Sequence, residues 1–154
     1  MSMPFKKTIS AVIAACCLTP ALAQHAFNDA ESAVEYRQKA LSIMRDNFAA
    51  MGDMVKGEVD YDASIFSERA TDFTHLTSIP WSAFSVEGAM PGDGSDALPA
   101  IWDNWEDFQQ RAEQLQSDAK KLQQAAASGS LDTIKPAFMA VARNCKGCHD
   151  NYKD

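Results

Sequence analysis

Cys145-Lys146-Gly147-Cys148-His149 carries the densest chemistry in the 154-residue sequence. Two thiols three positions apart can each add to one vinyl group of a porphyrin, and a histidine directly after the second can reach the iron. Covalent c-type haem attachment needs this arrangement. His149 then acts as proximal axial ligand and metal residue, with its other ring nitrogen left for a hydrogen bond that sets the iron's electronics. A C-x-x-C pair also reads as half of a structural zinc site, a thioredoxin-like redox pair or a disulfide. The rest of the chain has to choose among these.

Residues 1–23 carry Lys6 and Lys7, an apolar run from Ile9 to Leu18, a breaker at Pro20 and small residues at Ala21 and Ala23. This is the pattern of a cleaved secretory signal peptide, with residues 24–154 as the mature domain starting at Gln24. The run is shorter than the roughly 20 residues a bilayer-spanning helix needs, and no later stretch suggests a membrane span. Ile13-Ala14-Ala15-Cys16 also resembles a lipobox, which would place a lipid anchor on Cys16. The very short apolar stretch before Cys16 weighs against that.

Cys16 and Cys17 leave with the leader, so two of the four cysteines remain, Cys145 and Cys148. A closed zinc site takes about four protein ligands, yet only His25, His75 and His149 accompany the pair. A thioredoxin-like motif follows a strand in a βαβ unit, and no such alternation exists here. Haem is the reading that also uses the histidine.

The mature chain, about 131 residues, is the size of one domain. Losing Lys6 and Lys7 leaves 12 of the 14 Lys and Arg against 21 Asp and Glu, a net charge of −9. Such a surface argues against nucleic acid as a partner and favours a redox partner with a basic patch.

Four helical segments can position the motif. The first opens at Asn28 as N-cap with Glu31 three residues on and closes near Gly57. Within it Val34, Arg37, Leu41, Met44, Phe48, Met51 and Val55 alternate spacings of 3 and 4, a stripe that packs helices at a shallow angle. A second helix runs from the Asp62 cap to about Ile79, stopped by Pro80, with Phe66, Phe73 and Leu76 inward. Pro80 to Pro99 reads as a long loop pinned by Trp81 and Phe84. The third helix starts near Pro99 and runs to Ser128-Gly129, with Ile101, Trp105, Phe108, Ala112, Leu115, Ala119, Leu122 and Ala126 inward. The last begins around Asp132 or Thr133, with Pro136 in its first turn. Its stripe of Ile134, Phe138, Val141, Cys145, Cys148 and Tyr152 puts both thiols on the inner face. A porphyrin held there slots between helices.

Arg37 is the misfit of the first stripe. A guanidinium on an apolar face either snorkels to water at the bundle's edge or meets an anion, for which a haem propionate offers a carboxylate it can grip bidentately.

At this point the chain resembles cytochrome c prime, the class II c-type cytochromes of the bacterial periplasm, over essentially all of its mature length. The similarity is carried by Tyr36-Arg37-Gln38-Lys39-Ala40-Leu41, Pro80-Trp81-Ser82-Ala83-Phe84, Asp96 to Trp102 and Cys145 to Lys153. It implies an all-α, antiparallel four-helix bundle with one covalent haem c per chain, commonly a homodimer formed through helices one and two. It also implies a five-coordinate, high-spin iron, with Arg37 and Gln38 against the propionates, Leu41 over the distal face and Asp96 at the haem edge. Tyr152 matches the aromatic three residues after the ligand, and Lys153 stands where an arginine is common.

Leucine has no lone pair, so a distal site under Leu41 is open but crowded and dry. Nitric oxide or carbon monoxide can enter by displacing it, whereas bound dioxygen wants a hydrogen-bond donor. The expectation is a gas-binding haem protein rather than an enzyme, with slow electron transfer compatible. A six-coordinate electron carrier is the alternative, with Met44 as sixth ligand raising the potential and closing the gas site. Met44 also reads as soft core filler.

Overall fold

The structure, a computed structural model, describes residues 27, 29–86, 88–90 and 95–154. Residues 1–23, expected to form a leader, the expected cleavage site, Cys16 and Asn28 lie outside the described residues. The helices are α1 (Ala30–Lys56), α2 (Ala63–Leu76), α3 (Ala100–Asp103), α4 (Trp105–Ala126) and α5 (Leu131–Tyr152), with a short 3-10 turn at Trp81–Phe84. Helices α1, α2, α4 and α5 form an antiparallel four-helix bundle in which α1 packs on α2, α2 on α4 and α4 on α5. Phe48 of α1 stacks on Phe138 of α5 at 4.3 Å and joins the remaining pair across the core.

Local chemistry sets the helix ends. Asp29, not Asn28, is the N-cap of α1, and its Oδ1 accepts the Ser32 N–H at 2.7 Å. The cap moves one residue because an extended aspartate there places its carboxylate over the orphan amides of the first turn. Gly57 ends α1 in the left-handed region at φ 79°, and the Glu58 amide bonds back to Asp53 O at 2.9 Å. Asp62 caps α2 by accepting from Ser64 and Ile65.

Three boundaries depart from the spacing-based expectation. α2 ends at Leu76 rather than Ile79: the indole N–H of Trp81 donates to the Thr77 carbonyl, and Thr77 Oγ1 donates to Thr74 O, so side chains replace the next turn's amides. The third helix is two pieces, because both the amide and the side-chain Nδ2 of Asn104 bond to Ala100 O and close α3. α5 begins at Leu131, with Ser130 at the N-cap position but making no side-chain cap bond, which places Pro136 one turn inside it. Pro136 and Asp132 are both exposed, so water can take the carbonyl that the proline leaves without an amide.

Burial follows the stripes. Ile134, Phe138 and Val141 of α5 and Phe108, Ala112, Leu115, Ala119, Leu122 and Ala126 of α4 are buried. On α1, Met44 and Met51 are buried, while Leu41, Phe48 and Val55 remain half-exposed. Ala33, Ala40, Asn47 and Met54 are also buried, so α1's inner face is wider than one heptad seam because α1 also meets the 3-10 turn.

The apolar residues divide into a large cluster along the bundle, a smaller one of Phe84, Ile101, Phe108 and Tyr152 at one end, and a third of Ala33, Ala83 and Ala89. Leu41 packs against the first two.

At Gly57 nothing lies within 4 Å of where a Cβ would stand, so a substitution there meets no clash. Gly57→Ala therefore isolates the left-handed backbone cost, and urea unfolding of the haem-loaded protein should show a loss of about 1 kcal/mol. An unchanged midpoint would mean that the αL cap does not stabilise α1.

Candidate haem site

The inner face of α5 presents Cys145 and Cys148 as half-buried, free thiols. Both line a cavity of about 440 Å³ together with His149 and Tyr152 of α5, Leu41 and Met44 of α1, and Phe108 and Leu115 of α4. Cys145 packs on the large apolar cluster and Cys148 on the smaller one, so the cavity lies where the two meet. Burial pushes the Cys145 thiol up to about 11, with the charge of Cys148 adding to it. Burial also raises Cys148, against the opposing pull of the Arg111 charge. His149 is lowered by burial first and by the Lys153 charge second, which favours the neutral imidazole whose lone pair binds metal.

These surroundings suit a haem. The walls are largely apolar, two thiols and an imidazole converge on one side, and the volume falls within the usual range for enclosed small-molecule sites. Among the described residues no three His, Cys, Asp or Glu side chains gather as metal ligands.

Arg37 does not snorkel. It is 1 % exposed, and its guanidinium is stacked 4.4 Å over the Phe84 ring and 5.7 Å from the Trp102 ring. Nη1 donates to Ala89 O at 2.6 Å and Nη2 to Ser95 Oγ at 3.3 Å, so the side chain also clamps two points of the loop onto α1. Desolvation lowers its pKa, yet a guanidinium retains its proton. Arg37 still lines the cavity, as does the exposed Gln38 next to it.

Asp96 is exposed at the cavity's rim and pairs with Lys153 Nζ at 2.9 Å. The same loop holds the chain's last residues: Leu98 N–H donates to Tyr152 O at 3.0 Å and Asp154 N–H to Asp96 O at 2.9 Å.

The structure thus brings Arg37, Gln38, Leu41, Asp96, Cys145, Cys148 and His149 to one cavity, with Met44 beside Leu41. Phe84 and Arg111 line the same cavity and escape a reading by stripe alone. For Phe84 the only signal is its place in the aromatic-rich loop. For Arg111 it is the i,i+4 pair with Asp107 beside the α4 stripe.

A sequence profile of the family described as Cytochrome C' matches residues 32–153. Cytochrome c' of Alcaligenes xylosoxydans xylosoxydans is 39% identical over 128 residues, covering 82% of this chain and 97% of the relative. Among solved structures, cytochrome c prime from Shewanella frigidimarina superposes with a TM-score of 0.79 at 40% identity, over 83% of this chain and 98% of that one. A nitric oxide complex of a leucine-to-alanine variant of cytochrome c prime from Alcaligenes xylosoxidans superposes with a TM-score of 0.76 at 38% identity, over 83% and 98% of the two chains. The chain described here belongs to the cytochrome c prime family. Its cofactor is haem c, for which Cys145 and Cys148 are the attachment pair.

Arg37→Lys keeps the charge but loses the fork and the aromatic stack. Urea unfolding of the haem-loaded variant should show a loss of about 2 kcal/mol. A change within experimental error would show that the loop holds to α1 without the guanidinium.

Proposed function

We propose that this protein is a periplasmic haem protein that binds nitric oxide or carbon monoxide at a crowded apolar distal site. In this reading Cys145 and Cys148 form the thioethers, His149 is the one axial ligand from the chain, and Leu41 crowds the opposite side. When bound, haem supplies an iron that takes diatomic ligands and exchanges single electrons.

The observation that carries the reading is Leu41. It lines the same cavity as the two thiols and His149 and packs on both the large apolar cluster and the one around Phe84. A leucine donates no lone pair to a metal and no hydrogen bond to a bound gas, and with Phe48 it makes this part of the wall apolar. A neutral diatomic can displace it; polar bound dioxygen gains nothing from it. The nitric oxide complex of the Alcaligenes relative supports the same ligand class here.

Arg37 and Gln38 face the propionates, with Asp96 at the ring's edge. Residues 1–23 serve as the leader that delivers the chain to the periplasm, where residues 24–154 act. Two copies pair through α1 and α2, for which the exposed Ile43 and Ile65 provide apolar surface. A redox partner would meet the acidic surface with a basic patch.

Met44 supports a second reading, because it lines the same cavity. As sixth ligand it would make the protein a low-spin electron carrier. Its 8 % exposure and its packing among Met51, Phe73 and Leu115 favour a role in the core.

Optical spectra decide between the two. High-spin bands in both oxidation states and uptake of nitric oxide by the reduced protein are expected; a low-spin reduced spectrum unmoved by gas would assign the iron to Met44. Leu41→Ala should speed carbon monoxide binding, and an unchanged rate would show that Leu41 is not the gate. Acid–acetone should leave haem on the native chain and extract it from the Cys145→Ala/Cys148→Ala variant; extraction from the native chain would rule out thioether attachment.

A further inference from the structure

α4 and α5 are joined by a polar brace at the level of the attachment residues. Arg111 Nε donates to Asp107 Oδ2 at 2.6 Å, one turn back along α4. Its Nη1 reaches across to α5 and donates to the carbonyl of Gly147 at 3.2 Å, the residue directly before Cys148. The Tyr152 hydroxyl donates to the same Asp107 Oδ2, and its ring lies 5.8 Å from the Arg111 guanidinium and edge-on to Phe108 at 5.5 Å. One carboxylate and one guanidinium therefore grip α5 on both sides of Cys148 and His149. Asn151 Nδ2 also donates to Gly147 O at 2.7 Å, so that carbonyl is held from within its own helix as well.

Arg111 stands in the wall between two cavities. One is the haem cavity; the other, of about 300 Å³, is lined by polar side chains including Gln110, Gln114, Arg143 and Asn144. The guanidinium thus places a permanent positive charge beside an apolar site, where screening by water is reduced. Asp107 offsets part of that charge. Its carboxyl is held below the usual range by the bonds from Arg111 and then Tyr152, so it stays ionised near neutral pH. Arg111 in turn is raised by Asp107.

We propose that Arg111, aligned by Asp107, is a positioning residue for the haem: it fixes the Gly147-Cys148-His149 turn against α4, and its charge raises the reduction potential. The proposal rests on the haem reading given above. A positive charge near the ring favours the reduced form, which carries one more electron; a negative charge does the opposite. Removing either partner loosens the same turn, yet the two removals leave charges of opposite sign.

The test uses the haem-loaded protein, with midpoint potentials and the iron–histidine stretching band of the reduced form as readouts. Arg111→Gln should shift the potential down and Asp107→Asn should shift it up, with the band moved or broadened in both. Arg111→Lys, which keeps the charge but not the fork, should retain most of the potential while altering the band. Potentials that move in the same direction in Arg111→Gln and Asp107→Asn, or a band unchanged in Arg111→Gln, would overturn the proposal. If native haem is itself extracted by acid–acetone, the attachment reading fails and takes the brace with it. If haem stays bound and the variants behave as the native protein, only the brace fails.

Discussion

The four helices leave between them a cavity of about 440 Å³ that both Leu41 and Cys145 line. Along the lower bundle, Met51, Phe66, Phe73, Leu122 and Ile134 meet directly and are almost wholly buried. Toward the attachment residues Leu41 of α1 stays half-exposed and lines that cavity with Cys145 and Cys148 of α5. A ligand seated in such a cavity supplies dispersion contacts that the lining side chains otherwise lack. The haem is accordingly part of the hydrophobic core as well as a reactive centre. Burial of the thiols that hold it and burial of the ring are the same packing problem.

That constraint accounts for the polar groups at this end. Arg37 is tolerated in its buried position because Ala89 O and Ser95 Oγ give its donors two acceptors and Phe84 and Trp102 give its plane two aromatic faces. A charge so placed is tolerated only while those partners stay in position. On α4, Asp107 and Arg111 make the equivalent link to α5 through the Tyr152 hydroxyl and the Gly147 carbonyl. The cavity is thus held open by hydrogen-bonded braces on either flank.

The inner faces of α4 and α5 were legible in the sequence because each residue on them faces the bundle for one reason, helical period, and period is a property of the chain alone. Cys145 and Cys148 fall on that face by the same arithmetic. The burial of Arg37 was not legible, since it depends on acceptors 52 and 58 residues away in sequence. The early end of α2 and the break at Asn104 likewise turn on single side-chain bonds, from Trp81 and from Asn104, that compete with backbone amides on equal terms. The half-exposure of Leu41 and Phe48 has another origin: a stripe reports which side is apolar, not whether a neighbouring helix or a cofactor covers it.

The aromatic end of the bundle has an optical consequence. All three tryptophans of the sequence, Trp81, Trp102 and Trp105, pack against the small cluster that includes Tyr152 and touches Cys148. Indole emission overlaps the strong near-ultraviolet absorption of a porphyrin, so a haem held by Cys148 takes up excitation energy from these indoles. Tryptophan emission of the folded, haem-loaded protein is therefore expected to be quenched. Any event that opens this end, whether by heat, denaturant or the release of the loop from Arg37, turns the fluorescence on, so the chain carries its own reporter of the closure around its cofactor.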